Sequence, residues 1–520
     1  MIKVINYIFL FFFIPVSLFS QSKDLFEKIK LKLNDKSING IYTASTKSDE
    51  SLSFKKKINL SDISVNSIKK NIFNGKSSFR KINLNLPESK YNPKHPVWIP
   101  ISEVIGLNLG LGAFNAYVSK SGYAKISFKT IQKNFQTGAV WDTDHFITNF
   151  FAHPYHGNLY FNTARSSGYN FWESTPYAFG GSLMWELFME NEPPSTNDLI
   201  NTTVSGIFLG ETLYRLSSLV IDERKRGFSR VMSEVFAGLL NPARGFNRLI
   251  YGDVWRVTNE QVYETQPLFI NLAYGINHVS EGTSIFEGVS NGVINLDMVY
   301  GNPFEEIKRK PFDFFRIRSQ FNIGAGQPPI GYVTAYAVLT GENFKEKNQN
   351  ILAGIFQHYD FYDNNTYKVG GISFGGGLLS YFKTDKGNKN RIVTSVHLNL
   401  MPLGASNSAY SSFGEKEYNF TVGANMKFES SLLMSWGFAL VDYNVYLMHT
   451  IIGASSNEFV GILKPKLQVN VYKNLSVGAE YVFYHREGYY ADYPDIHIRN
   501  NEQKIYVNYA FENIDALLKK

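Results

Sequence analysis

The residues able to do chemistry crowd into one stretch, "WDTDHFITNFFAHPYHGNLYFNTAR", residues 141–165. Three of the ten histidines, His145, His153 and His156, lie there beside Asp142 and Asp144. If residues 141–153 are helical, Asp142, His145, Asn149 and His153 share one stripe, because spacings of three and four return to the same face. Pro154 limits that helix and leaves His156 on a turn. Glu186 and Glu190 are four apart further on, and so are Glu211 and Arg215. Three helices would then each present a polar stripe inside otherwise apolar surroundings.

Such residues support three kinds of chemistry. An imidazole oriented by a carboxylate is a general base; His145, His153 and His156 are the candidates, with Glu186 and Glu190 as orienting acids. Alternatively, Asp142, Asp144, Asn149, His153, Arg165, Glu186, Asp198, Glu211 and Arg215 satisfy one another in a buried network that fixes one packing. Two histidines with carboxylates also suit a metal, but no H-E-x-x-H or other zinc spacing is present, so no metal and no cofactor is expected. No G-x-S-x-G elbow singles out a nucleophile among Ser166, Ser167, Ser174 and Ser182. The network is the first reading, and a lipid- or envelope-modifying hydrolase or transferase is the alternative.

The elements that must position these groups are helical. "TPYAFGGSLMWELFMENE" reads as one helix stopped by Pro193 and Pro194. Ser195 to Asp198 is capping chemistry for the next, which carries Gly206, Gly210, Glu211 and Arg215. A third runs from about 229 to 240 and ends at "NPARG". Residues 101–119, apolar and interrupted by glycine, suit a membrane-associating helix or a strand. The basic run "DERKRGFSR", with Arg244 and Arg248, reads as a solvated face or a rest for lipid phosphates.

After about residue 265 the apolar period changes from 3.6 to 2. Segments such as "PLFINLAYGINHV" and "KIYVNYAF" alternate apolar and polar residues and are separated by Gly, Asn, Asp and Ser. About twelve such segments, with aromatic residues at 15% of the chain, fit a transmembrane β-barrel, where a closed sheet satisfies every backbone group in lipid. The fold class is therefore α+β. A helical bundle over 96–260 precedes an antiparallel barrel over 261–512 and a tail over 513–520. A barrel of this size has a lumen to fill, so the helices are expected inside it or against its periplasmic mouth, as a plug or cap.

The start of the chain reads as a secretory signal peptide over 1–20, followed by a Lys/Asn/Ser-rich, poorly ordered tether over 21–95. The absence of cysteine excludes disulfides and thiolate chemistry. The expected partners are outer-membrane lipids, the barrel-assembly machinery and a small hydrophobic ligand, with no nucleic acid. The role would be structural, binding or transport in a Gram-negative outer membrane, with the helices lumenal or periplasmic.

Over about residues 95–250 the chain resembles a bacterial family catalogued as a domain of unknown function, number 3943. The shared pattern is D-x-x-x-x-N-x-x-x-H-P-x-x-G, a W-E pair, P-S-x-N-D-L and G-E-x-x-x-R. Here it falls on Asp144, Asn149, His153, Pro154 and Gly157; Trp185 and Glu186; Pro194, Ser195, Asn197, Asp198 and Leu199; and Gly210, Glu211 and Arg215. The resemblance implies a protein of the outer membrane or periplasm and assigns no catalytic residue.

Overall fold

The computed structural model describes residues 91–511, except 143, 281, 283–286, 325–326, 347, 365–366, 384–389 and 411–417. The signal peptide, nearly all of the tether and the C-terminal tail expected from the sequence lie outside these residues. Among the described residues there are seven α-helices: α1 Trp98–Ala113, α2 Phe128–Thr137, α3 His153–Ser166, α4 Phe171–Phe188, α5 Thr196–Val220, α6 Gly227–Leu240 and α7 Pro242–Ile250. Twelve strands follow. They are β1 Leu268–Ser280, β2 Val289–Tyr300, β3 Phe315–Ile323, β4 Ile330–Lys345, β5 Gln349–Asp363 and β6 Lys368–Lys383, then β7 Arg391–Asn407, β8 Tyr418–Leu433, β9 Gly437–Ile452, β10 Ser456–Tyr472, β11 Leu475–Tyr490 and β12 Ile496–Phe511. Each strand pairs antiparallel with its sequence neighbours, and β1 closes on β12 through pairs such as Tyr274 with Val507.

Alternation gives the barrel wall two chemistries. Leu272, Tyr274 and Ile276 of β1 and Ile505, Val507 and Tyr509 of β12 are exposed on the outside. The residues between them face a charged lumen. There Arg316 of β3 reaches Glu429 of β8 at 2.8 Å, and Arg318 reaches Asp442 of β9 at 2.9 Å. These strands lie on opposite sides of the closed ring, so the ion pairs cross the lumen. Lys464 joins Asp442 at 2.9 Å, and Lys504 joins Glu480 at 2.8 Å. Two cavities among these side chains measure about 30 and 80 Å³, room for a few waters. The crossing ion pairs obstruct the lumen.

The helices are therefore not a plug. Gln357 of β5 donates to the Val204 carbonyl of α5 at 3.0 Å, while its neighbours His358 and Asp360 face the lumen. Phe146 stacks on Phe361 at 5.0 Å, again on the outer side of β5. Phe150, Phe161, Phe171 and Phe208 share one buried cluster with Tyr300, Phe315, Ala335, Ile372, Leu403 and Phe420. Those strand residues alternate with the lumenal ones, so the helices pack on the outer wall of the first eight strands. The expectation of helices in the lumen or capping its mouth rested on an unfilled lumen, and the crossing ion pairs remove that need.

Helices α6, α7 and part of α1 are also inside out, whereas α3 and α5 bury apolar residues such as Phe161 and Phe208. In α6, Arg230 and Ser233 are buried, while Phe228, Val231, Val235 and Phe236 are exposed. In α7, Arg244, Asn247 and Arg248 are buried, while Phe246, Leu249 and Ile250 are exposed. In α1, Asn108 points inward and Trp98, Ile101, Ile105 and Leu109 point outward. The buried charges pair: Arg230 with Glu234 at 2.6 Å, and Arg248 with Glu223 at 3.0 Å and Glu234 at 2.8 Å. The basic run is thus partly core and not a solvated face. No helix among the described residues is long and apolar enough to cross a membrane by itself.

Candidate functional site

The positions of the polar residues follow from two local devices. Thr148–Ala152 forms a π turn directly before α3, and Pro154 sits in the first turn of that helix. Proline has no N–H and crowds the carbonyl four residues back; a wider turn relieves both problems. Helix therefore continues past Pro154, and His156 is on α3 rather than on a turn. Asp142, Asp144 and His145 precede the helix, so the expected single stripe from Asp142 to His153 does not form.

The second device is a short parallel bridge between Val140 and Ser195, sealed by Val140 N–H to the Pro194 carbonyl at 2.8 Å and Thr196 N–H to the Val140 carbonyl at 2.7 Å. It lays the strand before Asp144 beside the start of α5. Ser195 caps α5, its hydroxyl accepting from Asp198 N–H at 3.2 Å. Asp198 thereby sits in the first turn, where the helix dipole favours a carboxylate. Gly157 of α3 completes the geometry: a Cβ there would lie 1.7 Å from the Thr202 carbonyl oxygen, so only glycine lets α3 and α5 touch at this point.

His153 is held between the two segments. Its Nε2 is 3.2 Å from Asp198 Oδ1 and 3.4 Å from Asp144 Oδ2, and its Nδ1 is 3.2 Å from the Thr202 hydroxyl. Asn197 Nδ2 donates to Asp198 Oδ1 and to Asn149 Oδ1, both at 2.9 Å. Asn149 Nδ2 donates to the Tyr418 hydroxyl at 2.7 Å, which donates to the Asp144 carbonyl at 2.7 Å. Tyr418 opens β8, so the barrel wall itself supports the site. Glu186 accepts from Ser195 N–H at 2.7 Å, and Glu190 accepts from the Trp185 indole at 2.6 Å.

Burial alone would lower the His153 pKa, but Asp198, Asp144 and Glu186 together raise it to about 10. Burial raises Glu190 to about 8, against the indole hydrogen bond that lowers it. Burial also raises Asp198 to about 6, the opposing His153 charge notwithstanding. The site is an acid-rich pocket around one imidazole, and Asp144 opens it to the surface, its side chain 40% exposed.

The remaining candidates divide. His145 is exposed and outside the cluster. His156 is buried on α3, 2.6 Å from the Tyr160 hydroxyl and edge-on to Trp185, and burial lowers it to about 3, so it stays neutral. Arg165, Glu211 and Arg215 form a separate group near the far end of α5. Glu211 accepts from Arg165 Nε at 2.8 Å and from Arg215 Nε at 2.7 Å, and Arg215 Nη1 reaches Asp313 at 3.3 Å. Ser166, Ser167 and Ser174 bond backbone carbonyls of their own helices. Thr202 and Tyr418 were not among the sequence candidates; Thr202 had a signal, lying one turn beyond Asp198 on α5, and Tyr418 had none.

Residues 138–243 match the model of a domain of unknown function, DUF3943. No curated protein matches the chain. Among solved structures, the NanC porin is 11% identical, covering 46% of this chain and 98% of its own, with a TM-score of 0.27. The COG4313 outer membrane channel from Pseudomonas putida F1 is 9% identical over 48% of this chain and 97% of its own, with a TM-score of 0.26. The outer membrane channel DcaP of Acinetobacter baumannii is 7% identical over 47% and 96%, with a TM-score of 0.23. What this chain shares with them is a barrel. A closed antiparallel barrel with an apolar outer face is an outer-membrane architecture.

Proposed function

We propose that the barrel is an anchor and not a conduit, and that its helical unit lies in the bilayer against the outer wall and acts on envelope lipids as a hydrolase or transferase. The observation that carries this reading is the set of inside-out helices on the outside of a barrel whose lumen is obstructed. An apolar face turned away from the protein core is costly in water and favourable in lipid. Buried, paired Arg and Glu are the usual fate of charges in a lipid-facing bundle. The glycines Gly206 and Gly210, one turn apart on α5, pack it against α3 in the way small residues allow between helices in membranes.

The level of the site supports a lipid substrate. With an even strand number both barrel ends meet one rim, and Tyr418 opens β8 at the other. Asp144 lies against Tyr418 at that rim, the level of lipid headgroups. Transport through the lumen has less support, because ion pairs cross it.

The test uses the full chain in vesicles of phosphatidylethanolamine and lipopolysaccharide, with mixed divalent cations supplied and products read by mass spectrometry. The wild type should convert one of the lipids, and Asp144→Asn should lose that conversion while keeping heat-modifiable gel mobility. Unchanged lipids with folded wild type would sink the reading.

A further inference from the structure

We infer that Asp144, His153 and Asp198 form a binding site for a divalent cation of zinc-like size and ligand preference. One imidazole nitrogen and two carboxylate oxygens, from three separate places in the sequence, lie within 4.8 Å of one another. The spacings are informative. A direct imidazolium–carboxylate bond closes to about 2.7–2.9 Å, whereas Nε2 stands 3.2 Å from Asp198 and 3.4 Å from Asp144. Ligands about 2.0–2.1 Å from zinc at a tetrahedral angle are about 3.3 Å apart.

Support around the trio has the form metal ligands need. Thr202 engages Nδ1, which fixes the ring and leaves Nε2 to coordinate. Asn197 holds Asp198, and Tyr418 holds the Asp144 backbone. Charge is the second, independent indication. Among the described residues His153 is the only cationic group paired with Asp144 and Asp198. Glu211 and Glu223, by contrast, are each matched by two arginines. A divalent cation would balance the two carboxylates that share this one imidazole.

Three protein ligands leave a coordination position for water or a substrate oxygen, and the partly exposed Asp144 marks the side from which it is reached. The inference deepens the lipid-modifying reading and rests on it for the use of the ion, not for its presence. Sequence spacing gave a metal the least support because the ligands are 144, 153 and 198, with no local motif to betray them.

The test is calorimetry of full-length protein in detergent, stripped with chelator and titrated with zinc alone, with cobalt absorption as a second readout. Wild type should bind one equivalent. Asp198→Asn and His153→Gln should weaken binding at least about 100-fold, and Thr202→Val about 10-fold, as for a group that orients a ligand. If the buried variants fail to fold, Asp144→Asn, on a partly exposed side chain, carries the test. Absence of binding by heat-modifiable wild type, or weak binding equal in all variants (an adventitious ion only), would overturn the site. Stoichiometric zinc with no lipid conversion would keep the site and remove the lipid reading.

Discussion

The two ends of α5 carry the same residue types and do different things with them. At the Glu211 end, two arginines face two carboxylates, all buried, and the group ties α3, α5 and the β2–β3 connection together. At the Asp198 end, Asp144, Asp198, Glu186 and Glu190 surround a single imidazole, and one side is open. Balanced charge in a closed core buys one packing. Unbalanced charge beside an opening is costly unless something arrives to balance it, which is how a site differs from a brace.

Breaking the brace should have the largest effect. Glu211→Gln leaves Arg165 and Arg215 without their shared carboxylate and should destabilise the helical unit by about 3–5 kcal/mol, read from urea titrations in detergent. A smaller, pH-dependent effect belongs to Glu103 on α1, which burial raises to about 7 against hydrogen bonds from Asn247 and Tyr251. A raised carboxyl keeps its proton in the folded chain while the unfolded chain releases it near 4.5. Its penalty is therefore absent below about 4.5, grows as pH rises and is complete above about 7. Glu103→Gln should flatten that part of the stability profile, by roughly 2–3 kcal/mol at neutral pH, and an unchanged slope between these pH values would refute it.

Next in size is Gly206→Ala. A Cβ there would lie 2.5 Å from the Gly157 Cα, backbone against backbone, so the helices must separate; about 1–3 kcal/mol is the expected loss. The smallest effect should be at the site itself. Asp198→Asn removes one of several crowded negative charges, so its stability change should stay within about 1 kcal/mol. Comparable losses for Asp198→Asn and Glu211→Gln would erase the distinction between site and brace.

The barrel was legible because period-2 alternation is dictated by the pleat and does not depend on distant residues; twelve segments read from sequence are twelve strands in the ring. The capping Ser195 and the stop at Pro193 and Pro194 were equally local. The placement of the helices was not legible, for a physical reason. An apolar helix face is read as facing a core, and that inference reverses in lipid, where Arg230 and Arg248 turn inward and Phe228 and Ile250 turn out. The stripe from Asp142 to His153 failed because the helix begins only after His145, which residue spacing does not reveal. Asp144, His153 and Asp198 meet only through the Val140–Ser195 bridge and the Gly157 contact, both tertiary.

The depth of the helical unit tests the wall placement most directly. The chain has no cysteine, so single cysteines at Ile105, Phe179 and Val235, all exposed apolar positions, can carry an environment-sensitive fluorophore in vesicles without a background mutation. Helices lying in the bilayer against the barrel should give fluorescence quenched by spin-labelled acyl chains and shielded from aqueous iodide at all three positions. Iodide quenching with no response to the lipid quencher, in protein whose barrel is folded, would contradict it.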